Sequence, residues 1–487
     1  MKPIVMKMKT NFKFLFYYFF ILFLFAGCGT FLGGNDTSPL SAPANISVTA
    51  ANQKITLTWD AVDGAESYNL YYGTNSGVNK ETGIKVSQVT SPFTLFDLQN
   101  NITFYLVLTA ENNDGESDIS IEAYAIPEAR WERLGEGTNF CDSEGIVSAT
   151  AMSEAEDLYV VCAYGGFEAR QWLDVRKWDG SIWVKMGENI ERTDLRLPYW
   201  VNYRQIKLVV EDEVPWIGWG EDIYMVGEVW IASYIKVAYW DGTSWVQKGD
   251  TINTEEAGLN LSEIDLAVNG TTPYWAFEHI VTGENEDIYV YYWDGSQWTQ
   301  LGDRLDLAYG ASPQITFDGN MPYVAWREYD SIAHSRSLLM KYWDGNKWVQ
   351  LGDGISPSDG GVYDYSLKLH DGIPYIAWIG TDTHVSAWNA NDATWITDAY
   401  SIVKGIYPSG LYLKFIGSTP YIIGSNTDYY IAAKYWDGSS WKEVNSEIET
   451  NRAMQGDAAV SNGKTLCIFW VDYTDSDNID NYAGCVP

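Results

Sequence analysis

The chain has few basic residues, few histidines and no hydrophobic run long enough to span a membrane. Its 487 residues include 65 Asp and Glu against 31 Lys and Arg, which gives a formal charge of −34. Because phosphate groups are bound by basic surfaces, this balance argues against nucleic acid as a partner. The apolar run at residues 14–25 has 12 residues, too few for a hydrocarbon core of about 30 Å.

Motifs for known catalytic chemistry are absent as well. The sequence contains no G-x-S-x-G, no H-E-x-x-H and no phosphate-binding glycine loop, and its four histidines are scattered. No C-x-x-C or His/Cys spacing indicates a zinc site. Catalysis is therefore the least favoured class of function, and no cofactor is required. Acidic loop residues such as Asp475, Asp477 and Asp480 predict a solvated rim, with Ca²⁺ binding as the weaker alternative.

What the sequence does contain is a repeated motif, W-D-G-x-x-W. Its copies, of which the fifth is degenerate, begin at Trp178, Trp240, Trp293, Trp343, Trp388 and Trp436. Successive starts are 62, 53, 50, 45 and 48 residues apart, a spacing typical of a solenoid, a propeller or an array. Asp-Gly between runs rich in Tyr, Trp and Val indicates a tight hairpin turn, so each motif predicts two strands, C and D.

A second hairpin, of strands A and B, precedes each motif, as at residues 315–326. Together the two hairpins predict one antiparallel four-stranded sheet per repeat. A seventh A–B hairpin near the C-terminus is followed only by a C-like strand around Tyr482, whereas residues 130–135 match a D strand that has no C strand before it. Pairing these two pieces leaves no exposed edge. The predicted fold is therefore all-β, with a seven-bladed β-propeller at residues 128–487 closed by its first and last strands.

Residues 1–27 have the pattern of a secretory signal peptide, with four lysines, the apolar run and then small residues. The run Phe25-Ala26-Gly27-Cys28 resembles a bacterial lipobox, which implies lipidation of Cys28, although Phe25 stands where that motif usually has Leu. An ordinary signal peptide is the alternative. Residues 28–43, rich in Gly, Ser and Pro, predict a lipidated tether. We expect a lipid-anchored protein of the bacterial cell envelope, at the outer membrane or cell surface, whose membrane contact is the anchor alone.

Residues 44–126 alternate apolar and polar residues through about seven short segments, which predicts a β-sandwich. The stretch resembles a fibronectin type III module at Pro43, Trp59, Tyr68, Leu98, Ala110 and the run Gly115-Glu116-Ser117. This resemblance implies a spacer or adhesion module, and no Arg-Gly-Asp loop is present. An inert spacer is the simpler interpretation.

Four cysteines besides Cys28 occur in a chain predicted to be exported, where disulfides are permitted. The predicted B–C hairpin of the last blade places Cys467 almost opposite Cys485. In the first blade, Cys141 precedes strand A on the same side as Cys162. We therefore predict the pairs Cys467–Cys485 and Cys141–Cys162, with free buried thiols as the alternative.

The B–C and D–A loops share one face of the predicted propeller and carry the length variation, and variable loops are where binding usually resides. Those of the first two blades contain aromatic residues that the repeat does not explain. The candidate ligand-binding residues are Trp172, Arg192, Arg196, Tyr199, Trp200, Glu221, Asp222 and Trp230. Flat rings beside charged groups suit a sugar or a peptide. The alternative is that these rings only cap their blades.

Two non-enzymatic functions follow from these patterns. The first is a binding or adhesion module for an unidentified glycan or protein, acting through the loop face, and the alternative is a structural or assembly scaffold of the envelope. A glycoside-acting enzyme comes third. Bacterial sialidases resemble the chain in being propellers, but their turn motif is S-x-D-x-G-x-x-W, whereas Asp and Gly are adjacent here.

Overall fold

The computed structural model describes most of the chain, and the described part is all-β. The described residues are 40–128, 132–134, 141, 146–164, 172–191, 199–225, 229–253, 260–280, 286–307, 309–332, 334–357, 361–425, 431–444, 453–460, 465–475 and 478–486. They form 38 strands. Within these ranges no helix has the length and apolar character needed to cross a bilayer.

The first eight strands form two sheets that pack on each other. Their bounds are β1 (Ser47–Ala51), β2 (Lys54–Thr58), β3 (Ser67–Gly73), β4 (Ile84–Val89), β5 (Phe93–Leu95), β6 (Phe104–Asn112), β7 (Gly115–Glu116) and β8 (Ala123–Ala125). One sheet has the order β1-β2-β5, and the other has the order β4-β3-β6-β7 with β8 also on β6. Alternate residues of both sheets, including Leu57, Leu70 and Leu106, share one buried core around Trp59, as expected for strands with one apolar face.

The rest of the described chain forms seven sheets, each with four strands in consecutive pairing. We number them 1 to 7. Sheet 1 contains β10 (Ile146–Met152), β11 (Leu158–Tyr164), β12 (Trp172–Trp178) and β13 (Trp183–Lys185), with β14 (Ile190–Glu191) also on β12. Sheet 2 contains β15 (Tyr199–Glu211), β16 (Val214–Met225), β17 (Val229–Trp240) and β18 (Trp245–Gln247), with β19 (Ile252–Asn253) also on β17.

Sheets 3 to 6 follow the same order without additions. Sheet 3 contains β20 (Asn260–Asn269), β21 (Thr272–Ile280), β22 (Glu286–Trp293) and β23 (Trp298–Gln300). Sheet 4 contains β24 (Gly310–Asp318), β25 (Met321–Asp330), β26 (Ser335–Trp343) and β27 (Trp348–Gln350). Sheet 5 contains β28 (Asp364–His370), β29 (Ile373–Ile379), β30 (Thr383–Asn389) and β31 (Thr394–Ile396). Sheet 6 contains β32 (Tyr407–Ile416), β33 (Thr419–Ser425), β34 (Ile431–Trp436) and β35 (Trp441–Glu443).

Sheet 7 combines the two ends of the repeat region. It contains β36 (Ala453–Val460), β37 (Leu466–Asp475) and β38 (Asn478–Val486), and its fourth strand is β9 (Glu132–Arg133). Gly484 pairs with Arg133 and Cys485 with Glu132, so β9 is the partner of the last strand of the chain. The first strands of the sheets also contact one another in succession: β10, β15, β20, β24, β28, β32, β36 and β10 again. These groupings are consistent with the predicted blades.

The Asp of each W-D-G motif holds its own turn. Asp241 Oδ1 accepts the backbone N–H groups of Thr243 and Ser244, both at 2.8 Å. The same two bonds recur at Asp179, Asp294, Asp344 and Asp437. These donors favour the ionised carboxylate and lower the pKa of Asp241 to about 2. The repeated Asp therefore has a structural role.

The tryptophans of the repeats, together with the final glycine that four of the six repeats have, join neighbouring sheets. Trp348 in sheet 4 donates its Nε1–H to the carbonyl of Leu301 in sheet 3 at 2.7 Å. Gly302, the next residue, lies against the rings of Trp343 and Trp348. The same indole-to-carbonyl bond joins Trp245 to Met186 and Trp395 to Leu351. The repeat is therefore a joint between sheets as well as a hairpin.

A second set of bonds joins the first strands of successive sheets. Each bond runs from a backbone N–H to a side-chain oxygen of the preceding sheet, over 2.8–3.0 Å. The acceptor and donor residues are Asp265 with Ile315, Gln314 with Leu367, and Ser366 with Leu413. The three acceptors occupy the same register position in their sheets. Neighbouring sheets are therefore bonded to each other both through their first strands and through the W-D-G-x-x-W motif.

Both predicted disulfides are present. Cys141 is bonded to Cys162 and Cys467 to Cys485. Cys467 and Cys485 are direct register partners on β37 and β38, as the hairpin prediction required. The bridge of sheet 1 and the bridge of sheet 7 lie in one buried cluster that also contains Phe469.

The eight-stranded unit contacts sheet 6 directly. The side-chain amide of Asn101 donates to the hydroxyl of Tyr435 at 2.5 Å, and the backbone N–H of Asn101 donates to the carbonyl of Pro127 at 2.7 Å. Tyr421, also in sheet 6, is fully buried. Burial raises the pKa of its hydroxyl, and the side chain of Asn52 opposes that shift. Two turns of the first unit therefore rest on sheet 6.

Candidate functional site

Sheet 2 is longer than the other six along its strands. Its first three strands have 13, 12 and 12 residues. The corresponding described strands of the other sheets have at most 10. We call the side of the seven sheets with the A–B and C–D turns the turn face, and the opposite side the loop face. Because the extra residues continue at the ends remote from the turns, sheet 2 extends beyond its neighbours at the loop face.

This extension corrects a prediction. The sequence predicts that Tyr199, Trp200 and Asp222 lie in loops, whereas the structure has them in β15 and β16. Tyr199 pairs with Met225 and Asp222 with Asn202. The hairpins satisfy their own backbone N–H and C=O groups through this pairing, which allows the strands to continue to their full length.

The extension places three aromatic residues in one register row. Trp200 of β15 pairs with Tyr224 of β16, and Tyr224 pairs with Trp230 of β17. Adjacent strands are about 4.8 Å apart, so the row spans about 10 Å. The predicted residues Trp200 and Trp230 are thus brought together, although they are 30 positions apart in the sequence. Tyr224 completes the row and was not among the predicted ligand-binding residues.

A polar row lies beside the aromatic one. Asn202 pairs with Asp222, and Asp222 pairs with Ser233. Asn202 and Asp222 are each two residues along their strand from the aromatic row. The end of sheet 2 therefore carries amide, carboxylate and hydroxyl residues next to aromatic ones.

Glu221 does not present a ligand-binding carboxylate, contrary to the sequence-based prediction. Its side chain is fully buried. Both carboxylate oxygens lie 3.0 Å from the Lys236 ammonium, and one accepts the Trp219 indole N–H at 3.0 Å. The physical reason is the length of β16, because residue 221 still lies within the sheet and not on a loop. Glu221 forms an internal ion pair.

Trp172 is also part of the packed sheet. Its ring stacks on Tyr164, with centroids 5.2 Å apart and planes 11° from parallel. It packs against the buried cluster that contains both disulfides. Arg176 donates to the Tyr164 hydroxyl at 3.2 Å and to Asp174 at 2.9 Å. Trp172 therefore lies in β12 and not in a loop, and its half-buried ring packs within sheet 1.

Three predicted site residues lie outside the described residues, and these are Arg192, Arg196 and Cys28. Within the described ranges, no group of three or more His, Cys, Asp or Glu side chains is arranged to hold a metal ion. The candidate site is therefore the aromatic row and the polar row of sheet 2.

Comparison with known proteins gives local and distant likenesses. No family model matches the chain. The tail tube protein gp17.1* of Bacillus phage SPP1 is 36% identical over 85 residues, which are 17% of this chain and 30% of that protein. An amylopullulanase of Thermoanaerobacter thermohydrosulfuricus is 34% identical over 93 residues, which are 18% of this chain and 6% of that enzyme. The chain thus spans less than a third of the length of these relatives.

Two solved structures have a distant overall likeness to the chain. The polysaccharide lyase Uly1 covers 72% of this chain and 91% of its own, with 10% identity and a TM-score of 0.44. A lectin of Aleuria aurantia, solved with Fucα1-6GlcNAc, covers 62% of this chain and 96% of its own, with 13% identity and a TM-score of 0.37.

Proposed function

We propose that the chain is a non-catalytic carbohydrate-binding protein of the bacterial cell envelope, and that sheet 2 binds the ligand at the loop face. The observation that carries the proposal is the row formed by Trp200, Tyr224 and Trp230. In this proposal the seven sheets are the blades of a β-propeller closed by β9 and β38. The eight-stranded unit is a fibronectin type III-like sandwich that spaces it from the N-terminus.

The residue types in the two rows suit a sugar. Aromatic rings offer flat apolar surfaces, and sugars have apolar ring faces bordered by hydroxyl groups. An amide, a carboxylate and a hydroxyl two residues away can hydrogen-bond those hydroxyl groups. A row of about 10 Å is long enough for more than one sugar unit, so an oligosaccharide is the expected ligand.

The relatives support the same class of ligand. The matched amylopullulanases are named for polysaccharide substrates, and a shared local segment fits a protein that works on carbohydrate. The match covers 6–10% of those enzymes, and no catalytic motif was found in this sequence. We therefore propose that this chain binds carbohydrate without catalysing a reaction on it.

The proposed location rests on the N-terminal sequence. We propose that residues 1–27 are a signal peptide, that Cys28 is lipidated and that residues 28–43 form the tether. Incorporation of labelled fatty acid into the wild-type chain, and its loss in Cys28→Ser, tests this. If both proteins incorporate the label equally, the anchor lies elsewhere.

The binding function is tested with the full chain carrying Cys28→Ser. The protein is applied to a glycan array, together with the double variant Trp200→Ala/Trp230→Ala. Tyr124→Ala is the matched control, because Tyr124 is an aromatic residue 66% exposed on the eight-stranded unit. We expect the control to bind like the parent and the double variant to bind at least roughly tenfold more weakly, since each lost aromatic contact contributes of the order of 1 kcal/mol.

The thermal midpoint of each variant is measured in parallel, so that a loss of binding is separated from a loss of folding. If the parent protein binds no glycan, or if the double variant binds unchanged, the proposal is wrong. A co-purifying envelope protein without any glycan signal would instead support the scaffold function.

A further inference from the structure

A second cleft lies on the turn face, at the end of sheet 2 opposite the aromatic row. It has a volume of about 550 Å³, within the range of about 300–1,000 Å³ that is usual for small-ligand sites. The A–B turn and the C–D turn of sheet 2 form two of its walls, and the A–B turn of sheet 3 forms the third. Trp216, Tyr239 and Lys248 are among the residues around it, and Trp216 is almost completely buried.

Sheet 2 departs from the repeat at three places, and all three line this cleft. Trp216 stands where five of the other six sheets have tyrosine, as at Tyr274 and Tyr323. Lys248 stands where the others have an apolar residue. Its equivalents, identified by the same backbone bond to strand C, are Met186, Leu301, Leu351 and Val444. Both substitutions are visible in the sequence once the sheets are aligned.

The third departure is the A–B turn. Asp212 and Glu213 have φ values of +48° and +62°, a conformation that side chains other than glycine adopt at a cost. The equivalent turns of four other sheets contain a glycine, at Gly270, Gly319, Gly372 and Gly417. Sheet 2 therefore keeps acidic residues at a place where the fold favours glycine.

Hydrogen bonds within the protein do not account for the presence of Trp216 and Lys248 at these two positions. Within the described part of the chain, the buried Trp216 indole nitrogen has no acceptor, and the Lys248 ammonium forms no ion pair. Lys248 instead lies over two rings, 5.9 Å from the centroid of Trp216 and 5.7 Å from that of Tyr239. The two rings are 5.0 Å apart. The cleft thus has an aromatic side carrying one cation.

The rim of the cleft is acidic, and part of it is held in place by the neighbouring sheets. Glu211 accepts the backbone N–H of Gly270 in sheet 3 at 2.9 Å, and Glu213 accepts that of Ala155 in sheet 1 at 3.1 Å. Each bond uses one oxygen of its carboxylate. Both side chains are therefore fixed at the rim by sheets on either side.

We propose that this cleft is a binding site for an uncharged sugar. The apolar face of a pyranose packs on the Tyr239 and Trp240 side of the cleft, its hydroxyl groups accept hydrogen bonds from Lys248, and they donate to the rim carboxylates. The rim opposes an anionic ligand, and Lys248 opposes a cationic one at the rings. An uncharged ligand with several hydroxyl groups avoids both of these repulsions. The site is independent of the aromatic row at the loop face.

The test restores the repeat sequence at the cleft. The variant Trp216→Tyr/Lys248→Leu introduces residues that the other sheets have at the same positions, so we expect it to fold with an unchanged or higher thermal midpoint. The control Lys347→Leu removes an exposed lysine from a turn of sheet 4. Saturation-transfer NMR on the full chain is recorded with the methyl glycosides of glucose, galactose, xylose and N-acetylglucosamine, and separately with those of glucuronic acid and glucosamine.

We expect transfer to at least one neutral glycoside, binding weakened by roughly tenfold or more in the restored variant, and no change in Lys347→Leu. Transfer that persists in the restored variant overturns the proposal. So does transfer that is lost only in Trp200→Ala/Trp230→Ala, which would leave the loop-face function standing. Transfer confined to the two charged glycosides, or to none of the six, also overturns it.

Discussion

The joint between sheets 3 and 4 makes a quantitative prediction for Gly302→Ala. Gly302 has a φ of +70°, and a Cβ added to it would lie 2.5 Å from Trp343 Cζ3 and 3.0 Å from Trp348 Cδ1. Two separate costs follow. Alanine pays about 1–2 kcal/mol for the left-handed backbone, and displacing the packed indole rings costs about 1–3 kcal/mol more. We expect the free energy of unfolding to fall by about 2–5 kcal/mol.

Gly319→Ala is the matched control. Gly319 has a φ of +54°, also left-handed, and a Cβ there would meet no atom within 4 Å. This variant should show the backbone cost alone, about 1–2 kcal/mol. The difference between the two variants therefore isolates the collision with the tryptophans.

The assay is urea unfolding of both variants and the parent, followed by tryptophan fluorescence. A reduction of the midpoint that is clearly larger for Gly302→Ala than for Gly319→Ala supports the joint. Equal midpoints for the two variants would show that the rings of the next sheet are not packed on Gly302, and the account of the repeat as an inter-sheet joint would fail.

Three further predictions use the same unfolding assay. The folded-state pKa of Asp241 is about 2 and its unfolded value is about 3.9, so the ionised carboxylate stabilises the fold above about pH 3.9 and this stabilisation is lost as the pH falls to about 2. Asp241→Asn should therefore lose less stability than the parent over this pH interval. Identical pH profiles of the two proteins would show that the Asp241 carboxylate does not stabilise its turn. Replacing Cys467 and Cys485 together by Ser removes a disulfide that closes a loop of 18 residues and should lower the free energy of unfolding by about 3 kcal/mol. A urea midpoint equal to that of the parent with its disulfides intact would contradict this prediction. Glu221→Gln removes the carboxylate that faces the buried Lys236 ammonium and should lower the free energy of unfolding by about 3–5 kcal/mol. The double variant Glu221→Gln/Lys236→Met should recover part of this free energy. If Glu221→Gln is as stable as the parent, the two side chains are not coupled.

Much of the fold follows from local sequence rules. The Asp-Gly turns and the period of the W-D-G-x-x-W motif predict the hairpins, because the turn type and the alternation of strands are encoded within a few residues. The unmatched D strand near residue 132 and the unmatched C strand near Tyr482 then predict their own pairing, which the structure contains. The disulfide between Cys467 and Cys485 follows from the same register.

The candidate site was less predictable, because it depends on contacts distant in sequence. Residues 199–205 do not follow the repeat, and their strand character depends on pairing with residues 220–225, which local patterns do not reveal. Glu221 is indistinguishable from a surface acid until Lys236 is placed beside it. Tyr224 becomes part of the site only through its register with Trp200 and Trp230. By contrast, Lys248 before Gly249, where Leu301 and Leu351 precede Gly302 and Gly352, is a signal that the sequence already contained.

The contact between Asn101 and Tyr435 has a mechanical consequence. A pull on the N-terminal end reaches β9 before any other strand of the seven sheets, since β9 comes first in the chain. Part of that load passes instead into sheet 6 through the docked turns. The remainder reaches β38 through its pairing with β9, and the bridge between Cys485 and Cys467 ties β38 covalently to β37. A force applied to the first unit is therefore divided between sheet 6 and sheet 7.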